Sequence, residues 1–132
     1  MATVGLDHVN LHSANVERLA DFYEELLDLK RGPRPGFRSV GLWLYHDKKP
    51  IVHLVEDRKQ RANVEPHFDH FAVRLTDLPT ILKRIEKLGA KYDTNLVADF
   101  NILQVNVIDP DGNRCELDFA GEEAAALPAA AE

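Results

Sequence analysis

The sequence predicts an α+β fold made of two copies of one βαβββ module, on three observations. The hexapeptide Leu6-Asp7-His8-Val9-Asn10-Leu11 returns as Phe68-Asp69-His70-Phe71-Ala72-Val73, an offset of 62 positions (70 − 8 = 62). The same offset lays Asn15-Val16 over Asp77-Leu78 and Leu19 over Ile81, so both copies read strand, capping residue, amphipathic helix. Near the end of each copy, Val52-His53-Leu54 matches Cys115-Glu116-Leu117 at an offset of 63 (116 − 53 = 63), and a single inserted residue explains the difference.

Each element has its own signal. Residues 5–12 alternate as a strand, with Val9 and Leu11 on one face and His8, Asn10 and His12 on the other. Asn15 is a good N-cap, and Leu19, Phe22, Tyr23, Leu26 and Leu27 make a helical apolar stripe. Gly32-Pro33 and Pro35-Gly36 break the chain, and three strands are expected near 37–40, 41–46 and 51–56. Asp47-Lys48-Lys49-Pro50 makes the last turn. The second copy should hold a strand at 68–75 and a helix from Leu78 to Leu88, capped by Asp77 and stopped by Gly89. Strands near 94–98, 101–108 and 113–119 follow, the last after the turn Asp109-Pro110-Asp111-Gly112. The modules are thus expected at 1–57 and 67–120, with a charged linker at 58–66 and an Ala/Glu-rich tail at 121–132 that is disordered or a frayed helix.

Composition narrows the function. Apolar residues make up 45% of 132 positions, enough for a folded core. The net charge is −6 and no stretch clusters Lys and Arg with aromatics, so neither nucleic acid nor an anionic membrane is expected as a partner. No apolar run is long enough to span a bilayer, and the first residues lack the pattern of a signal peptide. Cys115 is the only cysteine, which excludes an intrachain disulfide and suits the cytoplasm.

Strand parity singles out four residues. His8, His53, His70 and Glu116 each oppose apolar neighbours on the first or last strand of a module. If each helix covers the apolar face of its sheet, all four point to the opposite face, where a pseudo-twofold could bring them together. Any one of these histidines alone would ordinarily be a surface or hydrogen-bonded residue. Four at matched positions with matched parity point instead to the ligands of one divalent ion per site: Zn, Ni, Fe(II), Co or Mn. His12, His46 and His67 lack that equivalence. Trp43 and Phe37 belong to the central strands, as pocket lining or as core.

Four segments carry a family resemblance: Leu6-Asp7-His8-Val9, the helix Asp21-Phe22-Tyr23-Glu24-Glu25-Leu26-Leu27-Asp28-Leu29, Phe68-Asp69-His70-Phe71-Ala72-Val73, and Asp109-Pro110-Asp111-Gly112-Asn113-Arg114-Cys115-Glu116-Leu117. The chain resembles the vicinal oxygen chelate superfamily: glyoxalase I, bleomycin- and fosfomycin-resistance proteins, methylmalonyl-CoA epimerase and extradiol dioxygenases. The resemblance implies paired βαβββ modules forming an open cupped mixed sheet with helices on the outer face, and a homodimer. It implies His8, His70 and Glu116 as metal ligands, with His53 at a fourth position that varies in the family. The implied activity is that of a glyoxalase-like lyase or isomerase acting on a small substrate chelated through adjacent oxygens. Glu116 would be the proton-transfer base and His53 a second candidate for that role. The alternatives are an Fe(II) dioxygenase, or a bleomycin- or fosfomycin-resistance-type protein that binds or modifies a small molecule. His12 stands where bacterial glyoxalase I has an arginine that meets glutathione, which weakens the glutathione reading. A phosphonate pocket would need more than Arg38, Tyr45 and Arg74.

Overall fold

The structure, a computed structural model, describes residues 5–57 and 70–128. The expected linker at 58–66, with His67, Phe68 and Asp69, lies outside the described residues, as do residues 129–132. The chain divides into two units, Met1–Ala62 and Asn63–Glu132, each with the order βαβββ.

The first unit runs β1 (Val9–Ser13), α1 (Val16–Leu27), β2 (Lys30–Gly32), β3 (Gly41–His46) and β4 (Lys49–Glu56). Its sheet has the order β1-β4-β3-β2, with β1 parallel to β4 and the other pairs antiparallel. A parallel pair needs a crossover, and α1 begins it, packing on β3 and β4. Asn15 starts the helix: its Oδ1 accepts the Arg18 N–H at 3.0 Å. Leu19, Tyr23 and Leu26 are fully buried, as are Leu44 and Leu54 of the sheet. Burying a side chain of that size contributes about 1.5–3 kcal/mol.

The strand expected at 37–40 forms earlier, at Lys30–Gly32, and residues 37–40 join it to β3. Asp28 ends α1 in the left-handed conformation (φ 54°), so the chain reverses at once instead of wandering to Pro35-Gly36. Arg31 then ties β2 back to the helix. It donates to Glu24 at 2.7 Å and Asp21 at 2.6 Å, and also to Glu17. These carboxylates share one face of α1, and pairs this exposed matter through the network more than singly.

The second unit runs β5 (His70–Arg74), α2 (Leu78–Leu88), β6 (Tyr92–Val97), β7 (Ile102–Ile108) and β8 (Arg114–Ala120), with a 3-10 turn at Ala98–Phe100. Its sheet order, β5-β8-β7-β6, repeats the first, and β5 is parallel to β8. The helix bounds agree with the sequence reading. Asp77 caps through Thr80, and Gly89 adopts φ 64° at the C-terminal end, its N–H bonding to Glu86 O. Asp109 organises the last turn: its buried carboxylate accepts from the N–H groups of Asp111 (2.9 Å) and Asn113 (2.8 Å) and from Asn113 Nδ2 (2.8 Å). Asp-Pro-Asp-Gly-Asn is therefore a self-bonded turn that aims β8.

Part of the tail has more order than the sequence suggested. Gly121–Ala126 form a 3-10 helix, and Glu123 Oε1 accepts the Leu78 N–H at 2.8 Å. A carboxylate at a helix N-terminus satisfies an otherwise unpaired donor, which gives this segment a docking point.

Two glycines separate crowding from conformation. A Cβ on Gly41 would run into the Leu54 carbonyl oxygen and lie 2.8 Å from Arg34 Nη2, whereas one on Gly89 meets nothing within 4 Å. Gly89→Ala should therefore cost about 1–2 kcal/mol for the left-handed backbone alone. Gly41→Ala should cost more, because a strand pairing must shift. Urea unfolding of the two variants checks the order.

Candidate metal centre

Each unit presents a pair of the four candidate ligands, in a corresponding place. In the second unit His70 begins β5 and Glu116 lies in the middle of β8. The register pairs His70 with Arg114 and Ala72 with Glu116, so the two candidates are diagonal neighbours on one face. In the first unit Val9 pairs with Val52, which sets His8, one residue before β1, diagonal to His53 in the same sense. Alternation holds as expected: Val52, Leu54, Cys115 and Leu117 are buried on the other face. Within either unit, the described residues gather no three His, Cys, Asp or Glu side chains into a metal-holding group.

The two pairs differ in geometry. His70 Nε2 and Glu116 Oε1 stand 3.5 Å apart. Two ligand atoms each about 2.1 Å from one tetrahedral ion lie about 3.4 Å apart, so this pair has ligand spacing. His8 and His53 instead stack face to face, with centroids 3.7 Å apart and planes inclined by 10°. Trp43, the register partner of His53 on β3, stacks on the other face of His53 at 4.0 Å. Phe37 leans on Trp43 at 6.2 Å, and the Arg34 guanidinium sits 4.9 Å from the Phe37 centroid. Trp43 and Phe37 are thus part of the polar face and not of the core.

Hydrogen bonds decide which ring nitrogens keep a lone pair. His8 Nδ1 is 2.7 Å from Asp7 Oδ2, so Nδ1 carries the proton and Nε2 can accept or ligate. The bond to His8 holds the Asp7 carboxyl below its ordinary range. His53 Nε2 donates to the Pro50 carbonyl at 3.1 Å, which leaves its lone pair on Nδ1. Burial, and secondly the neighbouring His8, hold His53 below the ordinary imidazole value.

Glu116 is buried, at 7% exposure. Its pKa is raised by burial first and then by a hydrogen bond and charge repulsion from Asp118; His70 and Arg114 act against the rise. Asp118 Oδ1 is itself buried without a hydrogen-bond partner among the described residues. The sequence reading missed Asp7 and Asp118, although Asp118 shares strand parity with Glu116. A cleft of about 320 Å³ opens beside Asp118, with Arg74, Thr76, Phe100, Asn101 and Ile102 in its walls. His12 faces Asp57 at 3.4 Å and His46 faces Asp47 at 3.6 Å, both exposed, and His67 lies outside the described residues.

The sequence matches the family model described as a glyoxalase-like domain over residues 8–118. The chain belongs to the glyoxalase-like domain family. Its fold is that of the glyoxalase, bleomycin-resistance and fosfomycin-resistance structures. A glyoxylase/bleomycin resistance protein/dioxygenase domain from Frankia sp. EAN1pec superposes with TM-score 0.75 at 21% identity, covering 90% of this chain and 93% of that one. The fosfomycin resistance protein FosX from Listeria monocytogenes superposes with TM-score 0.70 at 15% identity, covering 89% and 93%. The trypanothione-dependent glyoxalase I of Leishmania major gives TM-score 0.66 at 19% identity, covering 94% of each chain. No curated protein matches by sequence. Among the described residues, no helix of this glyoxalase-like chain is long and apolar enough to cross a membrane.

The raised Glu116 pKa has a consequence for stability. A carboxyl whose folded pKa exceeds its ordinary value of 4.5 leaves stability intact below that value, and stability is lost as pH rises through the folded pKa. In metal-free protein, Glu116→Gln should therefore raise Tm at neutral pH, and the gain should vanish as the pH falls below about 4.5. Thermal melts across pH check this.

Proposed function

We propose that the chain is a divalent-metal-dependent enzyme of the glyoxalase type, a lyase or isomerase whose small substrate chelates through adjacent oxygens. The observation that carries this reading is the 3.5 Å separation of His70 Nε2 and Glu116 Oε1, which is ligand spacing. His8 supports it, because Asp7 holds the ring through Nδ1, and Nε2 is then the nitrogen that can ligate. His8, His70 and Glu116 would hold the ion, and their chemistry suits Zn, Ni, Fe, Co or Mn. When bound, such an ion supplies Lewis acidity that lowers the cost of negative charge on substrate oxygens.

The chain's own groups would handle the proton. Burial and Asp118 raise the basicity of Glu116, so it can take a proton from a carbon beside a carbonyl and return it. Asp118, two positions along β8 on the same face, would set how readily that carboxyl holds the proton.

Protein purified without chelator should carry about one divalent ion per chain, the stoichiometry of a single His/carboxylate site. His8→Ala, His70→Ala and Glu116→Ala should each lose tight binding by metal analysis. Retention of stoichiometric metal by all three single variants would remove the assignment. In fully metal-loaded protein, Glu116→Gln should lower kcat by about 10²–10⁴-fold while changing substrate affinity little. Hemithioacetals, epoxides and catechols form the substrate panel. Wild-type protein that loads metal and binds these compounds without turnover would mark a binding protein instead.

We also propose a homodimer. Strand β6 is the edge of its own sheet and carries Tyr92 and Leu96, which are 40% and 52% exposed. Sedimentation at micromolar concentration should give the dimer mass, and a monomer there would refute it.

A further inference from the structure

The stacked rings of the first unit bear on which residues can hold the ion. Strands β1, β4 and β3 lie side by side, and each brings one ring to the same face: His8 from just before β1, His53 from β4 and Trp43 from β3. Successive centroids are 3.7 and 4.0 Å apart, with planes inclined by 10° and 14°. Neighbouring strands are about 4.8 Å apart, so rings standing up from adjacent strands meet as the rungs of a ladder.

An imidazole lone pair lies in the plane of its ring. Planes 3.7 Å apart and inclined by 10° meet only about 20 Å away, whereas a ligand nitrogen needs its ion about 2 Å off in its own plane. One ion therefore cannot take both His8 and His53 while they are stacked, and only one of the two rings can ligate. The surroundings select which. His8 is the outer rung, its side chain is 38% exposed, and its Nδ1 bonds to the adjacent Asp7, which leaves Nε2 as the nitrogen able to ligate. His53 is held on both faces by rings, and its Nε2 is tied to the Pro50 carbonyl.

We infer that His53 is a positioning residue, not a metal ligand: its ring is a spacer that holds the His8 imidazole at a fixed distance from Trp43. This rests on the metal site proposed above. The ion then has three protein ligands, and His53 acts through His8. Trp43 is the only tryptophan in the sequence, so its emission reports on this stack and nothing else.

The test uses the full chain stripped of metal and titrated with Co²⁺, whose visible absorption band follows coordination number and geometry. His53→Phe keeps a flat ring and has no lone pair. It should bind Co²⁺ with wild-type stoichiometry and an unchanged band. His53→Ala removes the spacer. It should keep the band but bind between about twofold and tenfold more weakly, the range expected for a lost aromatic contact. A His53→Phe protein that loses Co²⁺ or shows a reshaped band would overturn the inference, since that change tracks the lone pair and not the ring. Wild-type protein that binds no Co²⁺ would sink the metal reading itself. Trp43 emission in metal-free protein then decides the stack. His53→Ala should shift emission to the red as one indole face meets water, and His53→Phe should restore it. Unchanged emission in His53→Ala would refute the spacer.

Discussion

The parallel pairing of the first strand with the last, β1 with β4 and β5 with β8, is the constraint from which the rest of each unit follows. Two parallel neighbours cannot be joined by a tight turn, so the chain must cross over, and a helix begins the return. Once an apolar helix covers one face, strand alternation sends every other side chain to the opposite face. Residues more than forty positions apart then become neighbours there: Asn10 beside His53, and Ala72 beside Glu116.

The polar face of the second unit carries side-chain hydrogen bonds across its strands. Asn106 Nδ2 donates to Asp93 at 2.9 Å, Arg114 Nε donates to Asn106 Oδ1 at 3.2 Å, and Asn95 pairs with Gln104 at 3.1 Å. Beside these bonds, Glu116 and Asp118 crowd two carboxyl groups into partly dry surroundings, and burial, with the repulsion from Asp118, raises the Glu116 pKa. His70 and Arg114 pull the other way, so the balance on Glu116 is set by charges from three positions of one sheet. Cys115, on the buried face between Arg114 and Glu116, is pushed far above the thiol's ordinary value by burial, which leaves it inert beside this chemistry.

The same diagonal relation gives different outcomes in the two units because the partners differ. In the second, a short flexible carboxylate meets one imidazole, and the pair settles at a separation suited to sharing an ion. In the first, two flat rings and an indole occupy adjacent strands, and stacking contact is the better-packed solution. Internal symmetry of the backbone does not carry symmetry of chemistry with it.

The sequence by itself determined the module, its duplication and the facing of its strands. The offset of 62 holds even where the strand reading failed, since β2 starts at Lys30 and β6 at Tyr92 (92 − 30 = 62). The α2 caps were legible because Asp77 and Gly89 act on bonds within a few residues of themselves. The position of β2 was not legible. Lys30-Arg31-Gly32 has no strand signature, and it becomes a strand only because Trp43, Leu44 and Tyr45 lie opposite to pair with it. The four candidate residues were likewise visible from parity, but the role of each depends on side-chain rotamers that no local pattern specifies. Only the tertiary structure set His53 between two rings, tied His8 to Asp7, and put Asp118 against Glu116. The first comes from strand spacing and register, which bring together residues that the sequence keeps apart; the other two join near neighbours in the chain, whose side chains meet only in the rotamers that the folded strands select.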